Sequence, residues 1–197
     1  FSEDFVYVYI NSGSSQDEMI SSISSYIIDV ESFIKAAKTK KYLENIKAGR
    51  FIMHKGDGNN KIINSLRSKN IPLNITFNNI QTIQEFSGYI SKKIEADSMS
   101  LIESFTDKNF LKSLNLSQES VLSLFLPNTY EFFWNTSADN FREKMVREFN
   151  NFWNENRIDK AKKIGLNPVE VSVLASIVQK ETPKVDERPT IACSMIS

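Results

Sequence analysis

The sequence predicts an α+β fold, in which a small βααβ module is followed by a mainly helical region. Residues 5–10 (FVYVYI) and 49–54 (GRFIMH) have the apolar alternation of strands. Two segments with helical spacing lie between them. Beyond residue 78 nearly every periodic segment is helical, so we place a soft domain boundary there, giving residues 1–77 and 78–197.

Each element of the first region has its own signal. Ser14 and Asp17 are placed as a capping box for the first helix, and a second helix is predicted from Asp29. A third helix near residues 59–68 and a strand at 73–77 (LNITF) complete the region. Strand, helix, helix, strand is an order used by small glycan-binding modules, and by itself this match is weak.

The second region is predicted to contain several helices. A capping box of Thr82 and Glu85 opens the first of them. Further helical periodicity covers residues 101–105, 110–114 and 138–163. No linker or repeat separates the two regions, so we expect them to pack together.

Composition excludes several classes of function. The 24 basic and 24 acidic residues balance, so no overall charge favours nucleic acid. One cysteine, Cys193, and one histidine, His54, exclude an internal disulfide and argue against a zinc site, and no cofactor motif is present. Cys193 follows Ile191 and Ala192 and is predicted to be a small core residue.

Basic residues are concentrated between positions 35 and 55, where they face one acid, Glu44. The simpler interpretation is a solvated surface; the alternative is a patch for an anionic polymer or lipid headgroups. The residues are Lys35, Lys38, Lys40, Lys41, Lys47, Arg50 and Lys55.

The segment NPVEVSVLASIVQKETP, residues 167–183, carries the main candidate for catalysis. Asn167 is predicted to cap a helix, with Glu170 completing a capping box, and Pro183 ends the helix at about Glu181. The negative helix end and partial burial would both raise the pKa of Glu181, which suits a general acid. The alternative is that Glu181 is a polar, exposed helix end.

Ordinary glycosidases need two carboxylates ~5–9.5 Å apart. Glu170 lies ~16 Å from Glu181 along the helix and cannot be the partner. A single-acid mechanism, in which the substrate supplies the nucleophile, fits better; Glu131 and Glu187 could approach Glu181 only through the fold.

A second unusual segment, LFLPNTYEFFW at residues 124–134, crowds aromatic side chains after a turn signal. Aromatic faces suit a sugar groove, while core packing is the alternative. Asn128 and Tyr130 are the better groove candidates because each brings a hydrogen-bonding group.

With these residues in view, the sequence resembles the YceG-like family of endolytic murein transglycosylases. The resemblance runs from about residue 5 to the C-terminus and rests most on two long motifs, LPNTYEFFWNTS and GLNPVEVSVLASIVQKETPKVDERPTIA. It is also carried by GRFIMHKGDGNNKIINSLRS and LNITFNNIQTIQEFSGYISKKIEADS.

The resemblance implies a LysM-like module before a catalytic domain that cleaves the MurNAc–GlcNAc β-1,4 bond inside peptidoglycan strands, leaving 1,6-anhydro ends. It also implies a bacterial inner-membrane protein with this region in the periplasm, held by one N-terminal helix that this chain lacks. The expected partners are glycan strands and peptidoglycan synthases, without nucleic acid, metal or cofactor. A non-catalytic peptidoglycan-binding protein is the alternative.

The family's catalytic glutamate corresponds to Glu181, and Asn128, Tyr130 and Glu187 are expected to bind substrate. Two positions depart from the family pattern. Gln179 stands where many relatives have glutamate, and Asn128 where Asp is common. Relatives also continue beyond IACSMIS, so the catalytic domain is expected to be incomplete in this chain.

Overall fold

The computed structural model describes residues 4–78 and 80–196, which form ten helices and four strands. The fold is α+β, as predicted. The described chain forms two compact units. Unit 1 comprises residues 1–77, 88–98 and 129–137, and unit 2 comprises 78–87, 99–128 and 138–197.

The βααβ order predicted for the first region is present in unit 1. Strand β1 (Phe5–Ile10) pairs antiparallel with β2 (Gly49–His54), and α1 (Gln16–Ser24) and α2 (Val30–Thr39) lie between them in sequence. Helix α3 (Asn59–Arg67) and strand β3 (Leu73–Phe77) follow. That this module binds glycan stays a prediction.

The core of unit 1 is built from the faces that periodicity predicted. Met19 and Ile23 of α1 and Phe33 and Ala37 of α2 are fully buried with the inward side chains of the sheet. The α1 capping box, however, is Ser15 with Glu18, one residue later than the predicted Ser14 and Asp17. The serine-rich sequence offers two registers, and the Ser15 register brings Glu18 back to the Ser15 N–H, 2.8 Å away.

Later segments of the chain return to unit 1. Strand β4 (Asn128–Phe132) pairs with β3, although the sequence analysis did not predict a strand there. The Ser12 N–H and hydroxyl both donate to the Glu95 carboxylate at 2.6 Å. The Asn70 amide donates to Asn135 at 2.6 Å. These contacts join segments that are 65 or more positions apart in the sequence.

Gly49 opens β2 with a positive φ of 138°, where an added Cβ would lie 2.4 Å from the Asn70 side chain. The same Asn70 carboxamide oxygen accepts a hydrogen bond from the Arg50 N–H at 2.8 Å. A side chain at position 49 would therefore push away the group that orders the start of the strand.

Unit 2 is helical and is centred on four phenylalanine rings, Phe86, Phe105, Phe125 and Phe141, whose centroids lie 4.4–5.9 Å apart in the recorded pairs. Its helices are α4 (Ile83–Ile90, shared with unit 1), α5 (Ser98–Phe105), α6 (Lys108–Ser113), α7 (Ala138–Phe152), α8 (Glu155–Lys163), α9 (Pro168–Glu181) and α10 (Arg188–Ile196).

The prediction of one continuous helix over residues 138–163 is wrong. It breaks after Phe152, and Asn154 caps α8 by accepting a hydrogen bond from the Arg157 N–H at 3.1 Å. Asparagine competes for backbone hydrogen bonds and favours a cap over a helix interior, which explains the break.

Cys193 is also a correction. It is exposed on α10, a helix with no buried residue, and is not a core residue. The apolar neighbours Ile191 and Ala192 suggested burial, but nothing in the described chain covers that helix enough to bury them.

Candidate functional site

Helix α9 presents Glu181 at its C-terminal end, as predicted. Asn167 caps the other end by accepting from the N–H groups of Val169 and Glu170, and the Glu170 carboxylate accepts from the Asn167 N–H at 2.7 Å. The predicted capping box is therefore confirmed. The Glu170 carboxylate forms part of this cap and is therefore not available as a catalytic group.

The Glu181 side chain is exposed, which agrees with the alternative of a polar, exposed helix end and not with partial burial. Its carboxylate makes no hydrogen bond or ion pair with any other part of the described chain. The placement at a negative helix end remains. Glu181 is thus a carboxyl group open to a ligand from solvent.

Thr182 fixes the turn that follows Glu181. It is 4% exposed and extended, and its N–H reaches the Val178 carbonyl at 3.3 Å. Its hydroxyl donates to Glu187 at 2.8 Å and accepts from the Lys184 N–H at 3.1 Å. One buried hydroxyl therefore holds both sides of the loop that joins α9 to α10.

Glu187 has an environment that differs from that of Glu181. Lys184 donates to its carboxylate at 2.8 Å, and Thr182 donates to the other oxygen. These hydrogen bonds, that of Lys184 first, lower the pKa of Glu187 below its ordinary value. Glu187 is therefore suited to remain a carboxylate, which makes it a poor proton donor.

A cleft of about 750 Å³ lies within unit 2, beside the same helix. Its walls are largely apolar, and Ser172, Ser176, Gln179 and Lys180 line it from α9. Trp153 also lines it, is 8% exposed, and has an indole N–H without an acceptor in the described chain. An apolar cleft with a few polar groups is typical of ligand sites.

The other candidates are placed differently. Asn128 is exposed at the start of β4. Tyr130 is 7% exposed, and its ring stacks on Phe77 in unit 1 with centroids 5.3 Å apart. Glu131 lies exposed between Tyr130 and Phe132 on the same strand.

Sequence reasoning missed Thr182 and Lys184 as organisers of the Glu181 loop. Thr182 was read only as the residue before Pro183, which disfavours a helix there. The sequence did hold a signal for this contact, because a threonine five residues before a glutamate in a short turn can donate a hydrogen bond to that glutamate. Only the fold shows that the hydroxyl is buried.

Comparison with known proteins identifies the relationship. The family model for the YceG-like family matches residues 8–196. The chain belongs to the YceG-like family. A crystal structure of a YceG-like protein from Listeria monocytogenes has a similar fold, with a TM-score of 0.54 and 18% sequence identity. The similarity covers 95% of this chain and 67% of that one. No curated protein matches this chain.

Two further findings describe this YceG-like chain. None of the helices in residues 4–78 and 80–196 combines the length and apolar character needed to cross a bilayer. Within the same residues, His, Cys, Asp and Glu side chains form no cluster of three or more arranged to hold a metal ion.

Proposed function

We propose that this chain is part of an endolytic lytic transglycosylase that cleaves the MurNAc–GlcNAc β-1,4 bond within peptidoglycan. The observation that carries the proposal is the contrast at the end of α9. Glu181 is exposed and unengaged, whereas Glu187, six positions later, is held as a carboxylate by Lys184 and Thr182. A carboxyl group without a partner in the described chain can give and then accept a proton, which suits a reaction in which the substrate supplies the nucleophile.

In the proposed mechanism, protonated Glu181 donates its proton to the oxygen that joins MurNAc C1 to GlcNAc C4. The C1–O bond breaks, and the GlcNAc part leaves with a free 4-hydroxyl. The C6 hydroxyl of the same MurNAc then attacks C1 while the Glu181 carboxylate accepts its proton. The product is a 1,6-anhydro ring, Glu181 is protonated again, and water takes no part.

Other residues are proposed to bind substrate around this step. Glu187 accepts hydrogen bonds or positions the loop, and the cleft beside α9 offers an apolar wall with a few polar groups to a sugar or its acyl groups. Asn128 and Tyr130 are proposed as further contacts. Unit 1 is proposed to be a LysM-like module that holds the glycan strand.

The same proposal extends to the setting of the protein. We place it in the bacterial periplasm, tethered to the inner membrane by a single N-terminal helix, with peptidoglycan synthases as partners. The location, the membrane anchor and the partners are proposed from the family resemblance. The single-acid mechanism needs no cofactor.

The test is mass spectrometry of products released from purified sacculi by the complete protein and two variants. Glu181→Gln is expected to release no fragments. Glu170→Gln is the matched control, because it makes the same change on the same helix and retains a capping side chain. It is expected to release anhydro-ended fragments as the unmodified protein does.

Other products would contradict the proposal. Anhydro fragments from a folded Glu181→Gln variant would exclude Glu181 as the acid. Hydrolytic ends would mean that a second carboxylate activates water. Sacculus binding without fragments from any version would favour the second candidate, a non-catalytic peptidoglycan-binding protein, which the βααβ module of unit 1 makes reasonable.

A further inference from the structure

Charge is strongly segregated along the part of the chain that builds unit 1. Residues 1–34 contain six acidic and no basic residues. Residues 35–69 contain ten basic and two acidic residues. The chain as a whole is neutral, so this separation is invisible in its net charge. The fold decides how much of this separation along the chain becomes a separation in space.

Helices α2 and α3 separate the acids at the start of α2 from the basic residues at the C-terminal ends of both helices, because the two helices lie side by side and run in the same direction. Near their N-terminal ends, the Asn59 amide donates to the Ser32 hydroxyl at 3.0 Å. Near their C-terminal ends, Arg67 reaches the Lys40 carbonyl at 3.4 Å. Asp29 and Glu31 are therefore at one end of α2, and the lysines that follow are at the other.

The basic end consists of six side chains, of which five are exposed and Lys40 is partly buried. None of the six forms an ion pair with another described residue. We call this group the basic end; it comprises Lys38, Lys40, Lys41, Lys47, Arg67 and Lys69.

Helix capping accounts for only part of the basic end. Lys47 donates to the Arg67 carbonyl at 2.8 Å, and Arg67 donates to the Lys40 carbonyl, so both stabilise helix C-termini. The side chains of Lys41 and Lys69 make no recorded contact. Lys41 also has a positive φ of 53°, a backbone conformation that favours glycine or asparagine over lysine.

The surroundings of the basic end indicate recognition by charge alone. The exposed large apolar or aromatic side chains of unit 1 among the described residues are Phe5, Tyr9, Ile28 and Phe133, and none belongs to α3 or to the C-terminal end of α2. A sugar or nucleic-acid site would be expected to offer an aromatic face for stacking. An extended anionic surface needs only cations, and clusters of four to eight are typical of binding to anionic lipids.

We propose that the basic end of unit 1 binds the surface of an anionic phospholipid bilayer through the headgroup phosphates. The acidic residues at the N-terminal end of α2 are repelled by the same surface. Attraction at one end and repulsion at the other orient unit 1 with the C-termini of α2 and α3 towards the lipid. This role is separate from Glu181 and does not depend on the proposed cleavage reaction.

Vesicle sedimentation of the 197-residue chain tests the proposal. Phosphatidylglycerol-containing vesicles are compared with pure phosphatidylcholine vesicles at low salt, and again near 1 M salt, where the Debye length falls to ~3 Å. Binding is expected only with the anionic lipid at low salt. Each cation at such a surface contributes roughly a fivefold gain in binding. Replacing Lys38, Lys41 and Lys69 by glutamine should therefore weaken binding roughly 100-fold.

The matched control replaces Lys108, Lys112 and Lys163 by glutamine, which gives the same change in net charge at exposed positions of unit 2. It is expected to bind like the unmodified chain. Circular dichroism checks that both triple variants fold. Equal losses in both variants, or no binding to the anionic vesicles, would overturn the proposal. So would binding to a soluble polyanion such as polyphosphate but not to vesicles, which would assign the basic end to a polymer.

Discussion

At the scale of single residues, Thr182 creates a difference in environment between two glutamates that lie six positions apart. Thr182 is buried and gives its hydroxyl to Glu187, while Glu181 faces solvent. The threonine of the KET sequence therefore has a structural reason to follow the candidate acid.

We predict that Thr182→Val raises the pKa of Glu187 towards its ordinary value, because one of the two hydrogen bonds that favour the carboxylate is lost. Lys184→Gln should raise it further, since the Lys184 hydrogen bond is the larger cause. Thr182→Ser keeps the hydroxyl and should leave it unchanged. A carbon-13 NMR titration of the Glu187 carboxyl measures all three.

The sign of the pH effect follows from the lowered pKa. Glu187 stabilises the fold above its ordinary pKa, and that contribution is lost as the pH falls through the lowered value. Acid unfolding of Thr182→Val should therefore show a weaker dependence on pH in this range than the unmodified chain. An unchanged pKa of Glu187 in Thr182→Val would mean that the hydroxyl is not its partner in solution.

At the scale of elements, α9 is placed by its N-terminal cap. Its apolar residues are spread around the helix, and only Val178 is buried, so packing does little to fix where the helix starts. Asn167, Pro168 and Glu170 provide that signal locally. The orientation of Glu181 at the far end depends on this start.

We predict that Asn167→Ala lowers the free energy of unfolding of unit 2 by about 1 kcal/mol, because two N–H groups lose their acceptor. Asn167→Asp should retain most of the stability, since aspartate also caps. Urea unfolding followed by Trp153 fluorescence measures the change in a Trp134→Phe background, which removes the other tryptophan. A loss as large in Asn167→Asp as in Asn167→Ala would indicate that the cap is not the cause.

The elements also show which parts of the fold could be predicted from the sequence. The alternation of apolar residues predicted strands β1 to β3. The Asn167 cap and Pro183 predicted the two ends of α9. Strand β4 was missed, although its buried residues alternate with exposed ones. Tyr130 and Phe132 alternate as strand residues do, but their dense aromatic neighbours obscured the pattern.

The site was predictable to a similar degree. Glu181 could be placed at a helix end from Pro183 alone, whereas its exposure could not. Whether a terminal side chain is covered depends on residues from other elements, which one sequence does not position. The Thr182, Lys184 and Glu187 contacts were hidden for the same reason, since each depends on the path of the turn.

At the scale of the whole molecule, a balanced net charge conceals the basic end of unit 1 and two acids, Asp29 and Glu31, at the opposite end of α2. A neutral protein has little overall repulsion between copies, particularly near its isoelectric point of about 6.8. Here Asp29 and Glu31 of one copy can also attract the basic end of another. Both effects favour association at low ionic strength, and the second is removed by salt within a Debye length of ~10 Å at 0.1 M.

We therefore predict that the chain associates weakly near pH 7 at low ionic strength and disperses when salt is added. Light scattering should give an attractive second virial coefficient that moves towards repulsion as salt increases. Replacing Lys38, Lys41 and Lys69 by glutamine should reduce the attraction, because it weakens the basic end and gives the chain net negative charge. The control at Lys108, Lys112 and Lys163 produces the same net charge without touching that end. If the two triple variants behave alike, net charge alone governs association; a larger effect at the basic end would show that the separation of charge within unit 1 is what brings copies together.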